Sequence, residues 1–193
     1  MKGLEKLTCI RLAEVLTQRG TVETDAITDA LYAQDRQGEV FVDVLVSNGH
    51  ISEWDLAKIV VEHFQLPFIS AGSTEIPDDA MAAFPKEFLF QHRIVPLGVF
   101  EQTATIVLPI LTPYEVLVRL QEASKLELFP YVGLISENVR VLGEIYPEYP
   151  DWAKQAQARR EAESRKNRAP GSGSGDWMDM FDSADASVRD GLG

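Results

Sequence analysis

Three histidines, one cysteine and one pair of adjacent acids are the residues whose types suit catalysis or metal binding. His50, His63 and His92 lie too far apart to give metal-ligand spacing, and Glu62-His63 is not part of a His-Glu-x-x-His motif. Cys9 is the sole cysteine, so neither an internal disulfide nor a cysteine-based zinc finger can form. It sits near a predicted helix start, where a thiolate is favoured, but a small buried apolar role suits it better. Asp78-Asp79 fall in a predicted first helical turn, where the helix dipole favours acids. Gly171-Ser172-Gly173-Ser174-Gly175 is glycine-rich, yet no apolar strand precedes it and no lysine follows. The phosphate-cradling pattern Gly-x-x-x-x-Gly-Lys-Ser/Thr is absent from the chain. These residues predict no catalytic group, no metal site and no cofactor, hence a non-enzyme.

Charge narrows the partners. The chain has 193 residues and a formal charge of −12. Residues 1–150 carry 11 Lys and Arg against 22 Asp and Glu, and so hold nearly all of that excess. Phosphate neutralisation needs clustered basic residues, so a nucleic-acid partner is not expected. No run of about 18 apolar residues occurs, so no membrane insertion is expected. The N-terminus lacks a basic-then-apolar signal, and a cytoplasmic location follows as the default.

Local patterns then supply the elements. Leu7–Arg19, Thr24–Gln34, Val40–Asn48 and Glu53–Phe64 read as four helices. Gly20 and Gly49 sit at the stops, and Ser52 with Asp55 forms a capping-box-like start. Beyond residue 65, Leu66–Ile69 is a short strand candidate. Pro77 and Pro85 open two short helices, Asp78–Phe84 and Lys86–His92. Arg93–Val99 and Thr103–Leu108 read as strands around a Glu101-Gln102 turn, and Glu127–Ile135 as a third. Helices over Thr112–Ser124 and Glu137–Tyr146, the latter capped by Ser136, complete the set. The fold class is α+β: an N-terminal pair of helical hairpins, then a small three-stranded sheet with helices. The organisation reads as 1–65 helical, 66–150 α/β, 151–168 a charged helix, 169–175 a flexible linker and 176–193 an acidic disordered tail. In that tail Trp177, Met178, Met180 and Phe181 stand among acids, which reads either as a partner-binding motif or as a solvated end. Residues 154–168 carry a net +4, which suits a solvated helix and, less well, an anionic surface.

The helical part repeats itself at an offset of 29 residues. Residues 11–34 align with 40–63, pairing Leu16 with Leu45, Gly20 with Gly49, Ile27 with Leu56 and Leu31 with Val60. Each copy is helix, glycine stop, helix. Two stacked helical hairpins sharing a core explain this spacing without any ligand.

The spacing also resembles a known family. Arg-Leu-Gly-x-x-Leu-x-x-x-Gly, six residues, Leu, three, Leu, two, Gln, repeated after five residues, is the pattern of the MshEN-type domain. This is the GspE-type N-terminal domain of the ATPases of type II secretion and type IV pilus machines. The first copy departs at Ala13, in place of glycine, and at Ile27, in place of leucine. The likeness extends over about residues 8–147, through Leu66-Pro67-Phe68-Ile69, Pro85-Lys86-Glu87, Arg93-Ile94-Val95-Pro96-Leu97 and Thr112-Pro113.

The resemblance implies two functions. One is a docking module: in the family, this domain or its relatives attach the motor to cytoplasmic parts of inner-membrane components. The expected partner is then a protein, a secretion or pilus machinery component. The other is cyclic di-GMP binding through the two motifs. Carried over, its residues are Arg11, Leu12, Leu16, Gly20, Ile27, Leu31 and Gln34, with Leu45, Gly49, Leu56 and Val60 from the second copy. Arginine stacks on or hydrogen-bonds guanine, glycine lets the backbone approach, and glutamine both donates and accepts. The second copy has Val40 for the arginine, Val42 for the close-approach glycine and His63 for the glutamine. That half-site has lost its charged contact with an anionic ligand.

Overall fold

The structure, a computed structural model, describes residues 4–167. The expected linker 169–175 and the tail 176–193, with Trp177, Met178, Met180 and Phe181, lie outside the described residues. The chain divides into two units, Met1–Lys154 and Gln155–Gly193. Of the second, only the helical residues 155–167 are described.

Four helices open the first unit: α1 (Cys9–Arg19), α2 (Thr24–Gln37), α3 (Phe41–Ser47) and α4 (Glu53–Phe64). Their ends follow local chemistry. The Thr8 hydroxyl accepts from the Arg11 N–H at 3.1 Å and starts α1. Ser52 caps α4 in the same way, accepting from Asp55 N–H and donating to its carboxylate at 2.7 Å. After α3 the chain turns left-handed at Gly49, φ 74°. There Gly49 N–H reaches Val46 O and His50 N–H reaches Leu45 O, which together close the last carbonyls of the helix.

The later elements are α5 (Asp78–Ala82), α6 (Lys86–His92), β1 (Val95–Phe100), β2 (Thr103–Pro109), α7 (Tyr114–Ser124), β3 (Glu127–Gly133), α8 (Ile135–Ile145) and α9 (Tyr149–Asn167). Strand order is β1-β2-β3. β1 and β2 form an antiparallel hairpin with a register shift between Pro96 and Gly98. β2 and β3 are parallel, joined through α7. The α+β class and the three-stranded sheet are therefore as expected. No helix among the described residues is long and apolar enough to cross a membrane.

Two expectations need correction beyond shifts of a few residues at element ends. Leu66–Ile69 is not a strand: it makes a single bridge, Phe68 with Val132. Pro67 has no N–H to extend a ladder, and the chain turns into a 3-10 segment at Ala71–Ser73. Ser136 is not a cap either. Helix α8 starts at Ile135 after Leu134, and the Ser136 N–H and hydroxyl both go to the Glu53 carboxylate. A residue 83 positions earlier thus does the capping.

One buried cluster runs through both halves of the unit, from Leu12, Leu16, Phe41, Leu45 and Leu56 to Ile106, Leu108, Leu128 and Val132. Asn138 is a buried polar residue beside it. Its amide donates to Arg93 O at 2.8 Å and Val107 O at 3.1 Å, tying α8 to β2 and to the left-handed turn that ends α6. Gly133 is packed against the same spot. A Cβ there would overlap the Val107 Cγ1 methyl and lie 3.1 Å from the Asn138 side-chain oxygen. Gly133→Ala should therefore destabilise by about 1–3 kcal/mol, read as a lower urea midpoint with an unchanged slope.

Candidate functional site

The repeat places its residues in two settings. The apolar positions are core: Leu12, Leu16, Leu45, Leu56 and Val60 are fully buried, Ile27 nearly so, and only Leu31 is half-buried. Gly20 and Gly49 both have positive φ, and a Cβ on either would meet nothing within 4 Å. Backbone conformation, not crowding, requires glycine at both.

The polar positions pair across the copies. Arg11 sits in the first turn of α1, half-exposed, with its guanidinium 2.7 Å from Glu14. His63, at the glutamine position of the second copy, has its imidazole held below the ordinary value. Partial desolvation is the main cause, followed by the charges of Arg11, Arg19 and Lys6. Arg19 also reaches Glu62 at 2.9 Å, which ties the end of α1 to α4. So the arginine of the first copy shares its electrostatic environment with the last residue of the second.

The opposite pairing builds a cavity of about 200 Å³. Gln34, the last residue of the first copy, lines it with Val40 and Val42, which stand where the pattern has arginine and glycine. Cys9, Arg93 and Thr112 contribute to the remaining wall. Thr112 is buried and its hydroxyl oxygen has no hydrogen-bond partner among the described residues. The Cys9 thiol is pushed up to about 11, first by burial and then by Glu115, while a hydrogen bond with Gln34 pulls the other way. It is a neutral thiol at physiological pH, which suits its position in the core. Beside the cavity Arg93 Nη2 grips both oxygens of Asp43, at 2.8 and 2.7 Å, mostly shielded from water. Sequence reading missed Asp43, Arg93, Thr112 and Asn138. The Asp43–Arg93 partners are fifty residues apart, and no local pattern links them.

The His63 shift gives a pH prediction. A lowered folded-state pKa means that the unfolded chain takes up the proton first as pH falls. This contribution to stability is present above the ordinary histidine value near 6.5 and is lost below it. Between about pH 7.5 and about pH 5.5 the melting temperature of wild type should fall more than that of His63→Gln.

A second surface lies on the sheet. On one face the cross-strand rows are Phe100–Thr103–Glu127, then Gly98–Thr105–Phe129, then Val95–Val107–Tyr131. The third row is sealed at Val95 and Val107, beside Asn138 of α8. The first two rows are open, with Phe100 77% exposed and Phe129 49% exposed. Among the described residues, no group of three or more His, Cys, Asp or Glu side chains is placed to hold a metal ion.

No family model matches the chain. The type IV pilus assembly ATPase PilB of Thermus thermophilus is 25% identical over 140 residues, which is 72% of this chain and 16% of that protein. The match therefore covers only a small part of that ATPase. The solved structure of MshE with cdg superposes with a TM-score of 0.56 at 22% identity, over 70% of this chain and 99% of that one. The N-terminal domain of XpsE superposes at 0.53 and 23% identity, over 69% and 92% respectively. The chain thus has the fold of the MshE and XpsE N-terminal domains, the GspE/MshEN type that its repeat resembles.

Proposed function

We propose that the chain is a non-catalytic docking module that binds a component of a type II secretion or type IV pilus machine. The observation that carries this reading is the burial of the repeat. Six of its seven apolar positions are buried in the core, where packing the hairpins together accounts for them without a ligand. The near-complete coverage of the MshE and XpsE chains supports a whole module of this fold. The expected partner is the cytoplasmic part of an inner-membrane component, as the family resemblance implies. The full chain, titrated against such domains from its own genome by interferometry, should give saturable binding at a Kd of about 1–100 µM. Absence of binding to all of them in that range overturns the reading.

A second reading is a cyclic di-GMP sensor. It rests on Arg11, which remains solvent-accessible at the motif position, and on the likeness to MshE, solved with cdg. A rise in melting temperature on adding cyclic di-GMP, abolished in Arg11→Ala, tests it.

A further inference from the structure

We infer that the open half of the sheet face, Phe100 and Phe129 across Gly98 and Thr105, receives a basic amphipathic segment of a partner protein, with apolar side chains flanked by lysine or arginine. The inference rests on the docking reading and names its surface. Side chains on a strand alternate between faces, and here the alternation puts two phenylalanines on the water side. Phe129 packs edge-on against Tyr131 at 5.5 Å. Gly98, next to Phe100 on this face of β1 and in the row of Phe129, leaves the surface low at that point. A Cβ on Gly98 would meet only the Thr105 hydroxyl, at 3.7 Å. Two exposed rings flanking the Gly98–Thr105 pair make an open patch suited to apolar side chains, and such exposed aromatic patches mark interaction sites.

Charge selects the occupant. Glu101 lies in the turn after Phe100, and Glu127 shares the row of Phe100 and Thr103. Both are exposed, and neither is in an ion pair among the described residues. The Glu127 N–H donates to Gln102 O at 2.7 Å, which holds both acids at one end of the patch. Residues 1–150 carry twice as many acids as bases, so an acidic peptide, anionic lipid or second copy of this body meets like charge. A cationic segment gains both from the field and from the rim.

The test uses the full chain and two synthetic probes of about twelve residues, one alternating Leu and Lys and one alternating Leu and Glu. Fluorescence anisotropy should show the Leu/Lys probe binding and the Leu/Glu probe not. The double variant Phe100→Ser/Phe129→Ser should weaken binding by about tenfold or more, with an unchanged melting temperature. Glu101→Lys/Glu127→Lys, at exposed positions, should weaken it similarly even where the phenylalanine variant folds poorly. Tyr32→Ala, an exposed aromatic on α2, should leave binding unchanged. Wild-type affinity in either double variant, or equal binding of the two probes, overturns the inference. So does a concentration-dependent dimer that the phenylalanine variant dissolves, because the occupant is then a second copy. The machine-component titration separates the two failures. Binding that survives both double variants keeps docking but moves the surface, while probe binding without component binding keeps the surface and removes the assigned partner.

Discussion

Phe90→Ala should lower the stability of the folded chain by about 3–5 kcal/mol, a large share of the 5–15 kcal/mol that holds a typical domain together. Phe90 is 2% exposed on the inner face of α6. Its ring meets Tyr146 and Tyr149 edge-on at 5.1 Å each, and Trp152 at 5.5 Å. Tyr149 and Trp152 also stack on each other at 6.3 Å. One ring therefore anchors the end of α8 and the first turn of α9. Removing it leaves a cavity and ends three aromatic pairs, each worth about 0.5–1.5 kcal/mol beyond its area. Urea titration followed by tryptophan fluorescence should show the midpoint falling steeply. A loss under about 1 kcal/mol would mean that the first turn of α9 does not pack through this ring.

Leu45→Ala should have the next largest effect, about 2–5 kcal/mol, and Leu16→Ala a similar one. The two leucines are equivalent in the repeat, and both are fully buried. Each sits one turn before the glycine that ends its helix, so each carries the packing of one hairpin against the shared core. If these leucines were a ligand floor, truncation would cost little stability and would chiefly remove binding. If they are core, both variants lose stability in calorimetry with no ligand present. The burial of Leu16 and Leu45 predicts the latter.

Most of the secondary structure was legible because it rests on local chemistry. The Ser52 cap and the stop before Gln65 bound α4 at the residues expected, Glu53 and Phe64. Gly20 and Gly49 end their helices through positive φ, which almost any sequence pattern with a glycine after an apolar run would announce. Helix α2 ran three residues past the expected Gln34, because Gly38 rather than the end of the motif stops it. What could not be read was long-range. The Glu53 carboxylate caps α8 from across the sequence, and Asn138 satisfies two distant carbonyls. The exposed Phe100 and Phe129 patch also escaped notice. Strand patterning alone does not say which face a helix will cover, and here the Val95–Val107 row beside Asn138 of α8 is buried while Phe100 and Phe129 stay exposed. In the repeat itself, the spacing of apolar residues was clear, but its division into buried leucines, a half-exposed Arg11 and a cavity shared by Gln34, Val40 and Val42 needed the tertiary structure.

The most direct measurement is isothermal titration of the full chain with cyclic di-GMP, alongside Arg11→Ala. A docking module whose repeat serves packing should give no heat up to about 1 mM ligand, with wild type and variant alike. Binding at a micromolar or tighter Kd that Arg11→Ala abolishes would contradict it, and would make the repeat a nucleotide site despite Val40 and Val42.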